Sequence, residues 1–474
     1  MRIGLRHAIA AALTLALLST GPARADGITD GNEGREALLA GNLDEAIRLF
    51  THAIAFGALT AKNQAITLNL RANAYLEKGQ TEVALDDINE SLRLTETPDA
   101  HFTRSKIYIA QFRYDDAVEE LNKTMQMGSQ AADVWALRGH AQLYAGRLNE
   151  AVKDLDQSIK LVSDYGFAWK TRGHAYMNMG QDDKAIADET KAIAIDGKDV
   201  EAHWLRAYAY RYRKKDLPKA LADYTAALSA DPADSSARTG RADTYEEMGR
   251  FAEAQGDYDE WIKQNPRGPF GYWARGRLNL VQGKAGAAAD LAKAVSLKPT
   301  DPYNVLWLHL ARTKEGANDT AELQANAAKP NRAIWPGPLL DYFTGKADAA
   351  TVLSKAGQGE GKAKATQLCE ANLFLGQDDL AKGRKSEGLE KLQTAAKTCD
   401  GTSREARLTR AELQRSGVTA PKPVLTQASS TGVKTVPMPA GPTVKPVKPK
   451  VPAQVQAQAS TQGGGDFSLR GSLK

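Results

Sequence analysis

Cysteine is nearly absent from this chain: two residues in 474, Cys369 and Cys399. That excludes a thiolate zinc cluster and a multiply bridged scaffold, and leaves a single candidate disulfide. Catalytic signatures are missing as well. There is no His-Glu-x-x-His, no Cys-x-x-Cys, no Gly-x-Ser-x-Gly at a strand–helix junction and no phosphate-binding loop of the required pattern. Gly357-Gln-Gly-Glu-Gly361 is dense in glycine, but nothing strand-like precedes it, so it reads as a loop. After the first 25 residues no apolar run reaches the ~18–20 residues that a membrane span needs.

A basic body is missing too. The formal charge of +5 comes from the ends: residues 1–25 carry three basic groups, and residues 421–474 carry seven against one acidic. The 395 residues between them are left at −4, which excludes a polyanion-binding surface as the dominant feature. At the amino terminus Arg2 and Arg6 precede the apolar run AIAAALTLALLS and the small-residue site Ala23-Arg24-Ala25. This reads as a secretory signal cleaved after Ala25, with no lipidation cysteine, and so as an exported, soluble, periplasmic protein. Residues 418–474 are rich in Pro, Lys, Val and Gln, with VKPVKPKVPAQVQAQAS at the centre. They read as a disordered tail with polyproline-like character.

What the chain does have is a period. Arg71/Asp87, Arg104/Glu120, Arg138/Asp154, Arg172/Asp188, Arg206/Asp223, Arg241/Asp257 and Arg275/Asp290 are pairs about 16 apart, and their arginines recur every 33 to 35 residues. In four pairs a glycine (Gly79, Gly146, Gly180, Gly249) lies eight residues from either member. Two antiparallel helices joined at that glycine put both side chains at one height, ~12 Å from the turn. The arrangement predicts an ion pair within each helical hairpin, and hence arginines that are not free for a ligand. Small residues recur in one slot of the first helix (Gly139, Gly173, Ala207, Ala242, Gly276) and another of the second (Ala84, Ala117, Ala151, Ala185, Ala220, Ala254), where two backbones approach.

Segments such as Trp135-Ala-Leu-Arg-Gly-His-Ala-Gln and GRLNEAVKDLDQSIKL resemble the tetratricopeptide repeat, a 34-residue helix–turn–helix. The resemblance implies an all-α, right-handed solenoid of about eight units over residues 26–299. The first copy lacks the Arg–Asp pair, having Glu33 and Leu49 there. The sixth carries an extra turn residue at Lys214/Lys215, and the eighth is one residue short. Residues 300–417 read as a helical extension: a buried helix in VLWLHLARTKEG, a short one in WPGPLLDYFTG, a hairpin from Ala365 to Gly401, and a last helix in SREARLTRAELQRSG. Antiparallel packing of that hairpin brings Cys369 to Cys399, which predicts a disulfide. The extension also resembles, through Trp307-Leu-His-Leu-Ala, Cys369-Glu-Ala and Phe374-Leu-Gly, an exported lipoprotein adaptor for proteases and murein hydrolases.

The family's groove implies the candidate site. Carried over slot by slot, its lining is Asn69, Asn73, Phe102, Lys106, His140, Lys170, His174, Trp204, Tyr208, Arg211, Asp243, Trp273 and Arg277. This mixed polar and aromatic ladder suits protein or peptide partners from the cell envelope. His140 and His174 share a slot in successive repeats, but no third ligand sits at metal spacing, so no metal and no cofactor are expected. The expected function is a non-enzymatic periplasmic scaffold. The alternative is an envelope-polymer binder or spacer acting through the basic Pro-rich tail.

Overall fold

The computed structural model describes residues 22–55 and 59–421. The amino-terminal signal reading, apart from residues 22–25, and nearly all of the tail reading lie outside these residues. The described residues form helices and no strands. The all-α repeat architecture expected from the period is what the chain adopts.

The chain divides into two compact units, whose described parts end and begin at Ala209 and Tyr210. The first holds five hairpins: α1/α2 (Pro22–Leu39, Leu43–Ala55), α3/α4 (Ala61–Glu77, Thr81–Leu94), α5/α6 (Pro98–Ala110, Tyr114–Gln126), α7/α8 (Ala132–Tyr144, Leu148–Leu161) and α9/α10 (Gly166–Asn178, Asp182–Ile195). A further first helix, α11 (Val200–Tyr208), follows them. Each hairpin turns on a left-handed residue, with φ of +76°, +78° and +72° at Gly79, Gly146 and Gly180. A methyl group at Gly139 would lie 2.7 Å from Leu155 Cγ, and one at Gly173 2.5 Å from Glu189 Oε1. The small slot is therefore where the two helices of a hairpin close on each other.

The second unit begins inside a π-helical turn, Ala209–Lys214, that ends at Lys215 with φ of +56°. The extra residue of the sixth copy is absorbed there, by widening the helix before the turn. Then come α12 (Leu217–Ala230), α13/α14 (Ser235–Glu247, Phe251–Gln264) and α15/α16 (Pro269–Gln282, Ala287–Leu297). The extension comprises α17 (Pro302–Lys314), α18 (Thr320–Ala327), α19 (Gly337–Phe343), α20 (Ala349–Gly357), α21 (Gly361–Ala381), α22 (Lys385–Thr398) and α23 (Arg404–Arg415). One apolar core runs from Leu280 to Leu413 around the fully buried Trp307, so α15 and α16 share their interior with the extension. The α21/α22 hairpin meets backbone to backbone. A methyl at Gly388 would stand 2.9 Å from the Gly376 carbonyl oxygen. The Cys369–Cys399 disulfide, with Cα atoms 4.8 Å apart, ties the hairpin's other end.

Six Arg–acid pairs have both members in one unit, and all six form. Arg71, Arg138, Arg172, Arg241 and Arg275 make two-pronged bonds to Asp87, Asp154, Asp188, Asp257 and Asp290 at 2.6–3.0 Å. Arg104 reaches Glu120 at 2.9 Å. The seventh pair, Arg206 and Asp223, has one member in each unit. The arginines also reach backwards, to the preceding hairpin. Arg71 donates to Thr51, Arg104 to Asn89, Arg138 to Asn122, Arg172 to Asp156, Arg206 to Thr190 and Arg275 to Asp259, at 2.6–3.0 Å. Each of these partners lies on the second helix of the preceding hairpin. One guanidinium thus braces its own hairpin and joins it to its neighbour.

A buried acid in the extension gives a pH test. Glu370 on α21 accepts hydrogen bonds from Trp335 Nε1 at 2.6 Å and from the Tyr303 hydroxyl at 3.1 Å. Burial, aided by the charge of Glu405, pushes its carboxyl up to about 7 against these two donors. The folded state therefore keeps a proton that the unfolded chain releases near the ordinary glutamate value of about 4.3. The stabilising contribution is full below that value and is lost as pH rises through about 7. Glu370→Gln should raise the melting temperature relative to wild type by an amount that grows between pH 5 and pH 8. A difference that stays constant with pH would contradict this.

Candidate functional site

First helices of successive hairpins touch one another (α1 with α3, α3 with α5, α7 with α9, α15 with α17), which defines an inner face in each unit. In the first unit this face begins with an amide cluster. Asn73 donates to the Asn69 carbonyl at 2.9 Å and to Thr103 Oγ1 at 3.1 Å, and it accepts from Lys106. Lys106 also stands 5.5 Å above the Phe102 ring. Asn73 is buried, whereas Asn69, Phe102 and Lys106 are half-buried and border the open side.

Next along the face, the Tyr144 ring lies 4.8 Å from His140 and 5.8 Å from His174. Burial lowers both imidazoles, His140 to about 4, so both are uncharged near neutrality. His174 Nε2 is buried and without a hydrogen-bond partner. Lys170 is buried between Asp199 at 3.0 Å and Glu201 at 2.9 Å. Burial opposes its charge, but the two carboxylates outweigh burial and raise the ammonium above its usual range. Glu189 is fully buried with neither oxygen paired, and burial pushes its carboxyl well above the usual range. The face ends at Trp204 and Tyr208, half-buried and stacked at 5.6 Å with 27° between planes. Among the described residues no group of three or more His, Cys, Asp or Glu side chains is placed to hold a metal ion. No helix there is long and apolar enough to cross a membrane.

The second unit's face is different, for the expected partner-binding positions Arg211, Asp243, Trp273 and Arg277 lie under a cover. The last helix, α23, lies against α15. Arg404 and Arg407, one turn apart on α23, reach Asp243 at 3.0 and 3.2 Å, and Arg407 reaches Glu246 at 3.0 Å. The Arg404 guanidinium stands 5.1 Å from the Trp273 ring centre. Arg415 donates to the carbonyls of Val281 and Leu280 at the end of α15, and Glu412 pairs with Lys314 at 2.9 Å. Beneath this cover Arg277 pairs with Glu246, and Arg211 bonds Glu247 at 2.9 Å; both arginines are about 1 % exposed or less. Four guanidinium groups acting against burial hold the Asp243 carboxylate far below its usual range. The sequence carried a signal for this arrangement in Arg404-x-x-Arg407, but nothing in one sequence says where a final helix docks.

The tryptophans of the aromatic slot, Trp135 and Trp169, lie under the bracing arginines, with Arg138 and Arg172 4.9 and 4.7 Å from their ring centres. They belong to the brace rather than to the inner face.

Tetratricopeptide repeat models match residues 132–164, 170–235 and 239–302, so these residues are tetratricopeptide repeats. The chain is also similar to parts of solved structures. A tetratricopeptide repeat protein from Parabacteroides merdae is 20% identical with a TM-score of 0.40, over 52% of this chain and 98% of that one. YrrB, described as having an unusual peptide-binding site, is 22% identical with a TM-score of 0.31, over 40% and 95%. PilF of Pseudomonas aeruginosa is 16% identical with a TM-score of 0.39, over 44% and 94%.

Removing one α23 arginine tests the covered face. Arg407→Ala leaves Asp243 and Glu246 buried with fewer counter-charges, and should cost about 2–4 kcal/mol in urea unfolding. Arg404→Ala, at a more exposed position, should cost less. An unchanged midpoint for Arg407→Ala would show that α23 does not seal this face.

Proposed function

We propose that this tetratricopeptide-repeat chain is an exported, non-catalytic scaffold that binds protein partners on the inner face of its first unit. Repeats of this kind serve as protein-binding scaffolds through extended concave surfaces. The observation that carries the reading is the contrast between the two faces: α23 fills the second with ion pairs, whereas the first keeps half-buried rings and amides. Trp204, Tyr208 and Phe102 are residue types that anchor protein contacts, and the uncharged His140 and His174 add hydrogen-bonding capacity without charge. Lys170 is spoken for by Asp199 and Glu201, and it serves as a rigid floor rather than as an anion clamp. The signal-like amino terminus supports a periplasmic location, and the likeness of the extension to an envelope adaptor supports partners among envelope proteins.

Photoreactive residues in cells separate the two faces. A probe at Trp204 should capture a protein partner, and one at Trp273, beneath Arg404, should not. With the probe at Tyr208 instead, Trp204→Ala should weaken capture about tenfold or more while shifting the melting temperature by only a few degrees. Capture from Trp273 with none from Trp204 would overturn the assignment.

A further inference from the structure

One turn breaks the pattern of the others. The residue eight after Arg104 is Phe112, where the neighbouring repeats carry Gly79, Gly146 and Gly180. Its φ is +61°, a region that bulky side chains rarely occupy. A methyl group built at those three glycines meets nothing within 4 Å, so local packing gives no reason for a large side chain there. Phe112 is 74 % exposed, more than any other large hydrophobic residue described. It starts a continuous series of rings: Phe112 to Tyr114 at 6.4 Å, Tyr114 stacked on Tyr144 at 5.2 Å, then Tyr144 to His140 and His174. Tyr144 is itself 39 % exposed.

The unit bearing this ladder is strongly acidic. Residues 26–209 hold 29 Asp and Glu against 20 Lys and Arg, a net −9, whereas residues 421–474 carry +6. Within that basic segment Pro446, Pro449 and Pro452 recur every third residue, and so do Lys445 and Lys448. A polyproline II helix has three residues per turn, so prolines at this spacing share one edge and the lysines another. Aromatic ladders dock such prolines because the extended helix is already formed and loses little entropy on binding. Twenty-five residues separate Pro421 from Pro446, a contour of ~75 Å at ~3.1 Å per residue.

We infer that the chain's own segment 436–452 docks in cis on the ring ladder led by Phe112, Tyr114 and Tyr144, with its proline edge on the rings and its lysines toward the acidic unit. Phe112 is retained in a costly turn because it extends the ladder to the outside. The docked segment shares His140 and His174 with the partner face, so it competes with a partner for that end of the groove.

The test uses the full-length chain at low concentration, with a photoreactive phenylalanine replacing Phe112 and, separately, Ile334, an exposed residue of the second unit (64 %). The expected result is an intramolecular adduct to residues 436–452 at least about fivefold more abundant from position 112 than from 334. That yield should fall several-fold when Pro446, Pro449 and Pro452 are changed to Ser, and also at about 0.5 M salt. With the probe at Tyr144 instead, Phe112→Gly restores the turn residue of the other repeats, leaves the array folded and should lower the same adduct. Equal yields from 112 and 334, insensitivity to the proline changes, adducts only between copies, or glycan adducts in place of the tail would each overturn the inference. Protein capture at Trp204 is read out separately, so either proposal can fail while the other stands.

Discussion

Five of the repeats hang on an arginine that faces two ways. At Arg71, Arg104, Arg138, Arg172 and Arg275 the guanidinium meets a carboxylate on the second helix of its own hairpin and an oxygen on the second helix of the hairpin before. A planar five-donor group is suited to this double duty, and a lysine could not reproduce the fork. Because the same atom set fixes the height of two helices and the spacing to a third, the brace sets hairpin register and stacking together. The pairs are half-buried, so desolvation offsets much of their attraction, and their value lies more in excluding other registers than in net stability.

That constraint decides where function can lie. The recurring arginines and acids are consumed internally, with the tryptophans at positions 135 and 169 beneath two of the arginines. What is left is the inner face of the first helices. In the second unit the chain answers that face itself. The arginines of α23 satisfy Asp243 and Glu246, and a shared core from Leu280 to Leu413 makes the last helix part of the interior. The first unit's inner face carries no such cover, and its half-buried rings at Phe102, Trp204 and Tyr208 stand beside the buried His174 and Glu189.

The period, the turn glycines and the Arg–acid pairs were legible in the sequence because they are local. Spacing along one hairpin determines them, and the matching family models lie within the same residues. The backward bonds of the arginines join neighbouring hairpins, and although Asn122 and Asp156 stand at a constant offset from Arg138 and Arg172, the spacing within one hairpin does not specify them. The groove was readable as a stripe but not as a surface. Whether Asp243 or Arg277 meets solvent depends on α23, which is more than 120 residues away in sequence. Contacts of that range leave no periodic trace. The burial of Lys170 is likewise not local, since its partners Asp199 and Glu201 belong to the following repeat.

The arginines brace the array and are not held free for a ligand. A double-mutant cycle on Arg172 and Asp188, read by urea unfolding alongside partner capture from Trp204, tests it most directly. A coupling of about 1–3 kcal/mol between the two substitutions is expected, with capture retained wherever the array remains folded. Additive effects on stability, together with loss of capture by a folded Arg172→Ala chain, would contradict it.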